Sequence, residues 1–168
     1  VNEIILYVTA LRGSFFMEKI ILKKIINQIN EYHDLVSALQ FICETLLSEI
    51  DGYDWVGFYF HDEQKKELKL LAFAGLETEH KNIQFGKGIC GQTAESNKPY
   101  ISGDVSKESN YISCNILVKS EIVVPIFNGN KVNIGQIDID SNNYNQFSKK
   151  DLVFLEKINH SLSKKFFK

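Results

Sequence analysis

Two of the chain's three cysteines, Cys90 and Cys114, lie in polar, glycine- or asparagine-rich stretches, GKGICGQTA and YISCNILVK. Cys90 stands just behind Gly88 at the expected mouth of a short helix, where the helix N-terminus favours a thiolate. Cys114 lies in a polar loop, seven residues before Glu121. Either thiol alone is more often inert than reactive. Two in one excursion fit a redox pair, in which one thiolate attacks and the other closes a disulfide across a loop of 24 residues. A second cluster is acidic. In IDIDS, Asp138 and Asp140 are two residues apart, so on a strand they share a face while Ile137 and Ile139 share the other. Glu121 opens the strand expected to pair with that one. In WVGFYF, Trp55, Gly57 and Tyr59 share a face, opposite Val56, Phe58 and Phe60. One sheet face can therefore carry Trp55, Tyr59 and three carboxylates. An isolated DxD more often faces solvent at a strand end. Under a covering segment the three acids instead bind a cation or retain a proton, and aromatics beside them suit an ammonium or a soft sulfur group.

The elements that must position these residues follow from periodicity. Ile21, Ile25 and Ile29 recur every four residues after Met17, predicting an amphipathic helix over 17–32. Asp34 is the expected N-cap of a second helix with Leu35, Leu39, Ile42 and Leu46 as its buried stripe and Cys43 as a small core residue beside it. DGYDWVGFYFHD and ELKLLAFAGL read as strands joined by the turn DEQKK. FGKGICGQTAESNK is a loop running into a short helix that Pro99 ends, PYISGDV is a short strand, and SEIVVPIF and KVNIGQIDID form a hairpin through NGN. A last helix has Ser148 as cap and Asp151 three residues on. The order predicts an α+β domain, a mostly antiparallel sheet with helices on one face and the excursion 76–120 over a pocket on the other.

Composition narrows the function classes. The 168 residues suit one domain; 19 basic against 21 acidic residues leave a net charge of −2, with no general attraction to nucleic acid or anionic lipid. An odd number of cysteines argues against a secreted disulfide framework. There is no CxxC, and His33, His61, His80 and His160 are far apart, so no metal site is expected. Residues 1–16 carry Glu3 and Arg12, lack a basic start and are too short to span a membrane, so a cytoplasmic protein is expected. They read as an extension ahead of a single domain over 17–168, native or not. The apolar face of helix 17–32 suits either pairing with a second copy or the domain's own core.

The pieces DWVGFYF, GKGICGQTA, SCNILVKSEIVVPI and GQIDIDS, in this order over about residues 35–165, resemble the free methionine-(R)-sulfoxide reductases, single GAF domains. One extra residue falls at the NGN hairpin. GKGICG together with a cysteine seven residues before SEIVVP is specific. The resemblance implies a GAF-like fold and reduction of free L-methionine (R)-sulfoxide by a thiol, through a sulfenic acid and an intramolecular disulfide. It implies no bound cofactor, recycling by an external thioredoxin-like dithiol, a role in oxidative stress repair, and often a homodimer. Residue by residue, Cys114 matches the attacking thiol and Cys90 the second thiol. Glu121, Asp138 and Asp140 match the acids that hold substrate and assist protonation of its oxygen, and Trp55 and Tyr59 the aromatic wall. His80 stands where many members have a further cysteine, which makes Cys90 the natural resolving partner; the inverse assignment, with Cys90 attacking, stays open. A non-catalytic GAF module that binds a small molecule, or a thiol redox sensor, is the rival reading; neither would release methionine.

Overall fold

The computed structural model describes residues 2–109 and 116–168, with side chains described from residue 16 onward. Helix α1 spans Asn2–Glu31 and α2 spans Leu35–Glu49; strands β1 (Trp55–Asp62) and β2 (Glu67–Ala74) follow. Then come β3 (Asn82–Gln84), α3 (Gly88–Ser96), β4 (Tyr100–Ser102) and a 3-10 turn at Val105–Lys107. Strands β5 (Ser120–Phe127) and β6 (Asn133–Ser141) and helix α4 (Lys149–Phe166) complete the chain.

The six strands form one sheet in the order β3-β2-β1-β6-β5-β4, with every neighbouring pair antiparallel. Both edges are strands of three residues, short enough to offer little template for a foreign strand. Pro125 lies beyond the last β4 pairing, where β5 needs no donor toward β4. The carbonyls of Val124 and Pro125 are met instead by the Asn159 amide of α4, each at 3.1 Å.

Alternation sorts the side chains of the sheet. On one face Val56, Phe58, Ile122, Val124, Ile137 and Ile139 are buried against α1, α2 and α4. The helices present matching stripes: Ile21, Ile25 and Ile29 from α1, Leu39, Ile42 and Leu46 from α2, Leu155, Ile158 and Leu162 from α4. Cys43 belongs to this core, fully buried, and burial pushes its thiol pKa upward. On the opposite face α3 covers a second cluster that includes Trp55, Tyr59, Ile83, Ile89, Cys90 and Val123.

Caps stop the helices where the sequence indicated. The Asp34 carboxylate accepts the Ser37 amide at 2.8 Å, and Ser148 and Asp151 form a reciprocal capping box. Three features differ from the sequence reading. Helix α1 carries on without a break through Met17 to Asn2; Gly13 inside it costs only about 1 kcal/mol. Strand β3 is too short for a period-2 signature and exists because Asn82–Gln84 pairs with Glu67–Lys69. The β5–β6 turn runs from Asn128 to Val132, longer than NGN, because the Asn128 carboxamide accepts the amides of both Asn130 and Val132 at 3.0 Å.

Candidate active site

Register places the acids. In β1, β6 and β5, Trp55 is opposite Asp140 and Asp140 opposite Glu121, one row across three strands. The next row on the same face is Gly57, Asp138 and Val123, and the one after is Tyr59, Gln136 and Pro125. The backs of these residues are the isoleucines of the core, so the positions of the acids are fixed by core packing. Glu121, Asp138 and Asp140 are 5%, 2% and 3% exposed. Among the described residues no cationic side chain forms an ion pair with any of them.

Burial and mutual repulsion act together on this cluster. Glu121 is raised well above the usual carboxylate range by burial first, then by the charges of Asp138, Asp140 and Glu108. Asp140 is raised likewise by burial, then by Asp138 and Asp54. Burial also raises Asp138, to about 7, against the opposing effect of hydrogen bonds from Cys90 and Glu121. The acids of the cluster are therefore pushed toward their protonated forms, with Asp138 as the hydrogen-bond acceptor at its centre.

Cys90 arrives from above. It is in the first turn of α3, 5% exposed, and its thiol meets the Asp138 carboxylate. Its Sγ and carboxylate oxygens of Glu121 and Asp138 all lie within 4.8 Å of one another. Two glycines of GKGICG set this approach. Gly88 starts the helix at φ 62°, and a side chain on Gly91 would strike the Gln84 carbonyl. Gln136, fully buried, donates from Nε2 to the Cys90 carbonyl at 3.1 Å and ties the first turn of α3 to β6.

The aromatic wall is built on Gly57. The Trp55 indole lies across that glycine, where any Cβ would overlap the ring. It stacks on Phe73 with centroids 5.9 Å apart and tilts against Tyr59 at 6.4 Å. Both polar tips hold the same loop: Trp55 Nε1 donates to the Leu76 carbonyl at 3.1 Å and the Tyr59 hydroxyl to the His80 carbonyl at 2.9 Å. Trp55 and Asp140 line a cavity of about 40 Å³ with Asp54, Leu76, Thr78 and Val118. Tyr59 is fully buried. Because the chain has one tryptophan, Gly57→Ala has a direct readout. It is expected to displace the indole, shift its fluorescence emission toward that of a solvated ring, and cost roughly 1–3 kcal/mol in urea unfolding. Unchanged emission would contradict the contact.

Of the residues singled out from sequence, Cys90, Glu121, Asp138, Asp140, Trp55 and Tyr59 converge on this face. Cys114 lies outside the described residues. His80 is in the loop held by Tyr59, and its amide is capped by Thr78 Oγ1 at 3.1 Å. Sequence reasoning missed Glu108, Asp54 and Gln136. Glu108 accepts from Tyr100 and Ser102 at 2.7 Å each, which brings a further negative charge near Glu121. Its position depends on the 3-10 turn that Asp104 caps, and no periodicity announces it. A larger open groove of about 740 Å³, lined in part by His61, Gln84, Glu95 and Asn133, has none of the thiols or clustered acids.

Known proteins share this fold. The sequence model of the GAF domain family matches residues 33–163. A free methionine-R-sulfoxide reductase of Saccharomyces cerevisiae is 34% identical over 82% of this chain and 76% of its own. The structure of the free methionine-R-sulfoxide reductase of Neisseria meningitidis in complex with its substrate superposes with a TM-score of 0.83. It is 33% identical and the match covers 89% of this chain and 87% of that one. A type II free methionine-R-sulfoxide reductase from Thermoplasma acidophilum, 37% identical, superposes with a TM-score of 0.72 over 80% of this chain and 98% of its own. With the buried acids, the thiol and the aromatic wall in the register described, the chain belongs to the free methionine-R-sulfoxide reductase family of GAF domain proteins.

Proposed function

We propose that the protein reduces free L-methionine (R)-sulfoxide to methionine, using Cys114 as the attacking thiol and Cys90 as the resolving one. The observation that carries this reading is the buried row Trp55–Asp140–Glu121 with the Cys90–Asp138 contact beside it. Asp138, which hydrogen bonds from Cys90 and Glu121 favour as the ionised member of the cluster, attracts the substrate's ammonium through opposite charge in a low-dielectric site. A carboxyl that keeps its proton at neutral pH can hydrogen-bond the sulfoxide oxygen and pass the proton on. Glu121 and Asp140 are the donors best suited to this, because burial and the neighbouring acids push both toward the protonated form.

The Cys114 thiolate attacks the protonated sulfoxide sulfur. The oxygen passes to Cys114 as a sulfenic acid, and methionine leaves with the sulfur electron pair restored. The Cys90 thiol then condenses with the sulfenic acid, giving a Cys90–Cys114 disulfide and water. An external dithiol, thioredoxin-like in chemistry, reduces that disulfide by exchange. Cys90 suits the second role because its contact with Asp138 gives its proton an acceptor as it attacks the sulfenic sulfur.

The test is conversion of sulfoxide to thioether in excess dithiothreitol, followed by mass spectrometry and comparing the free amino acid with the same sulfoxide inside a peptide. The ammonium and carboxylate of a free amino acid are amide bonds in a peptide, and an amide nitrogen has no charge for the buried acids to attract. The free substrate is expected to be turned over at least about 100-fold more efficiently, corresponding to roughly 2.7 kcal/mol of lost charge recognition. Equal efficiency on the two would overturn the assignment of the acids to the ammonium.

A further inference from the structure

The cluster Cys90, Glu121 and Asp138 has the composition of a metal site as well as that of a reductase pocket. Its three ligand atoms, one sulfur and two carboxylate oxygens, lie within 4.8 Å of one another, and all three residues are buried. In a tetrahedral zinc site, with bonds of about 2.3 Å to sulfur and about 2.0–2.2 Å to oxygen, neighbouring ligands are about 3.5 Å apart. The cluster therefore needs a contraction of little more than about 1 Å, within the reach of small side-chain rotations.

A second observation points to a ligand there. Asp138 is 2% exposed, yet its Oδ1 has no hydrogen-bond partner among the described residues. A buried carboxylate oxygen without a donor is costly, and an incoming cation would satisfy it. That carboxylate, with Cys90 and Glu121, lines a cavity of about 10 Å³. About 10–15 Å³ accommodates a single water-sized particle.

We propose that Cys90, Glu121 and Asp138 bind a zinc-class divalent cation, with water as the fourth ligand, in a state of the protein that cannot turn over. One thiolate with two carboxylates suits a borderline-soft ion. Calcium takes six to eight oxygens, and magnesium prefers an octahedral oxygen shell that it dehydrates reluctantly. Charge favours binding too. Three anionic ligands around a dication leave a net charge of −1, where the unbound cluster sets like charges against one another. Binding exchanges the thiol proton, and any proton shared by the two carboxyls, for the metal, and those protons go to solvent. The metal would mask the thiol that resolves the sulfenic acid and the acid beneath it. Zinc would thus be a reversible inhibitor and would shield Cys90 from oxidation.

The experiment is titration of reduced protein with cobalt(II), a spectroscopic stand-in for zinc, anaerobically and without added thiol. Using the Cys114→Ser variant prevents disulfide formation and leaves Cys90 as the one thiol at the site, since Cys43 is in the core. Uptake of one cobalt per chain is expected, with a thiolate-to-metal charge-transfer band and the strong visible bands of a four-coordinate ion. Zinc added afterwards should erase both stoichiometrically. Asp138→Asn, introduced into the same background, should weaken binding at least about 100-fold, and Cys90→Ser should remove the charge-transfer band while circular dichroism shows the fold intact. No stoichiometric uptake by the folded protein, or a charge-transfer band that survives Cys90→Ser, would overturn the proposal. Because the readout is spectroscopic and Cys114 is absent throughout, the result is independent of the reductase activity.

Discussion

Cys114→Ser is expected to abolish methionine release, lowering turnover by at least about 10³-fold, while Cys90→Ser still releases one methionine per chain in a single turnover. The asymmetry follows from order. Attack and oxygen transfer precede the step that needs Cys90, so its loss leaves a sulfenic acid on Cys114 that dithiothreitol must reduce directly. Rapid quenching with a sulfenate-specific label separates the cases: label should accumulate on Cys90→Ser and not on Cys114→Ser. Burst and no burst in the opposite variants would reverse the two roles. His80 gives the comparison its force. Position 80 carries no thiol, and the remaining cysteine, Cys43, is locked in the core. No other cysteine can stand in for Cys90.

Asp138→Asn is expected to do two opposed things: lower turnover by about 10²-fold or more, and stabilise the fold at alkaline pH. The first follows from losing the acceptor at the centre of the acid cluster. The second follows from linkage. The folded-state pKa of Asp138 is raised, to about 7, above its unfolded value near 3.8. Between those values the folded chain binds a proton that the unfolded chain has released, so stability is greatest below the unfolded pKa and falls as pH rises toward 7. Above pH 7 the full destabilisation is present, and asparagine removes it, a gain of roughly 2–4 kcal/mol. The Asn side-chain oxygen can still accept from Glu121, so packing is kept. Urea unfolding at pH 5 and pH 8.5 measures the effect: the variant's advantage should be larger at pH 8.5. A pH-independent difference would remove Asp138 from the titrating groups. Glu121 and Asp140 are raised as well, so the variant should retain part of the parent's alkaline sensitivity.

The site was legible where chemistry and periodicity coincided. Alternation alone put Asp138 and Asp140 on the face away from Ile137 and Ile139, and the hairpin brought Glu121 beside them. The pair Ser148 and Asp151, and Asp34, marked helix starts because capping is local chemistry. What depended on contacts distant in sequence was less visible. Glu108 reaches the acids through a 3-10 turn and through Tyr100 and Ser102, and nothing in SKES indicates that. Gln136 looked like one more polar residue of a strand until its partner proved to be the Cys90 carbonyl, 46 positions away. The aromatic wall was half legible: WVGFYF gave the shared face, but not the fact that both polar tips are used to hold the loop at Leu76 and His80.

The acids and the Cys90 thiol belong to different parts of the molecule. Glu121, Asp138 and Asp140 stand on β5 and β6, interior strands of the sheet whose opposite face is the main core. Amide protons there should exchange only through global opening, so the spacing of the carboxylates lasts as long as the fold itself. Cys90 rides on a nine-residue helix outside the sheet, so its position can shift without breaking a strand pairing. Proton chemistry is thereby tied to the domain's thermodynamic stability, while the thiol inventory can be gained, lost or moved at the periphery without disturbing it.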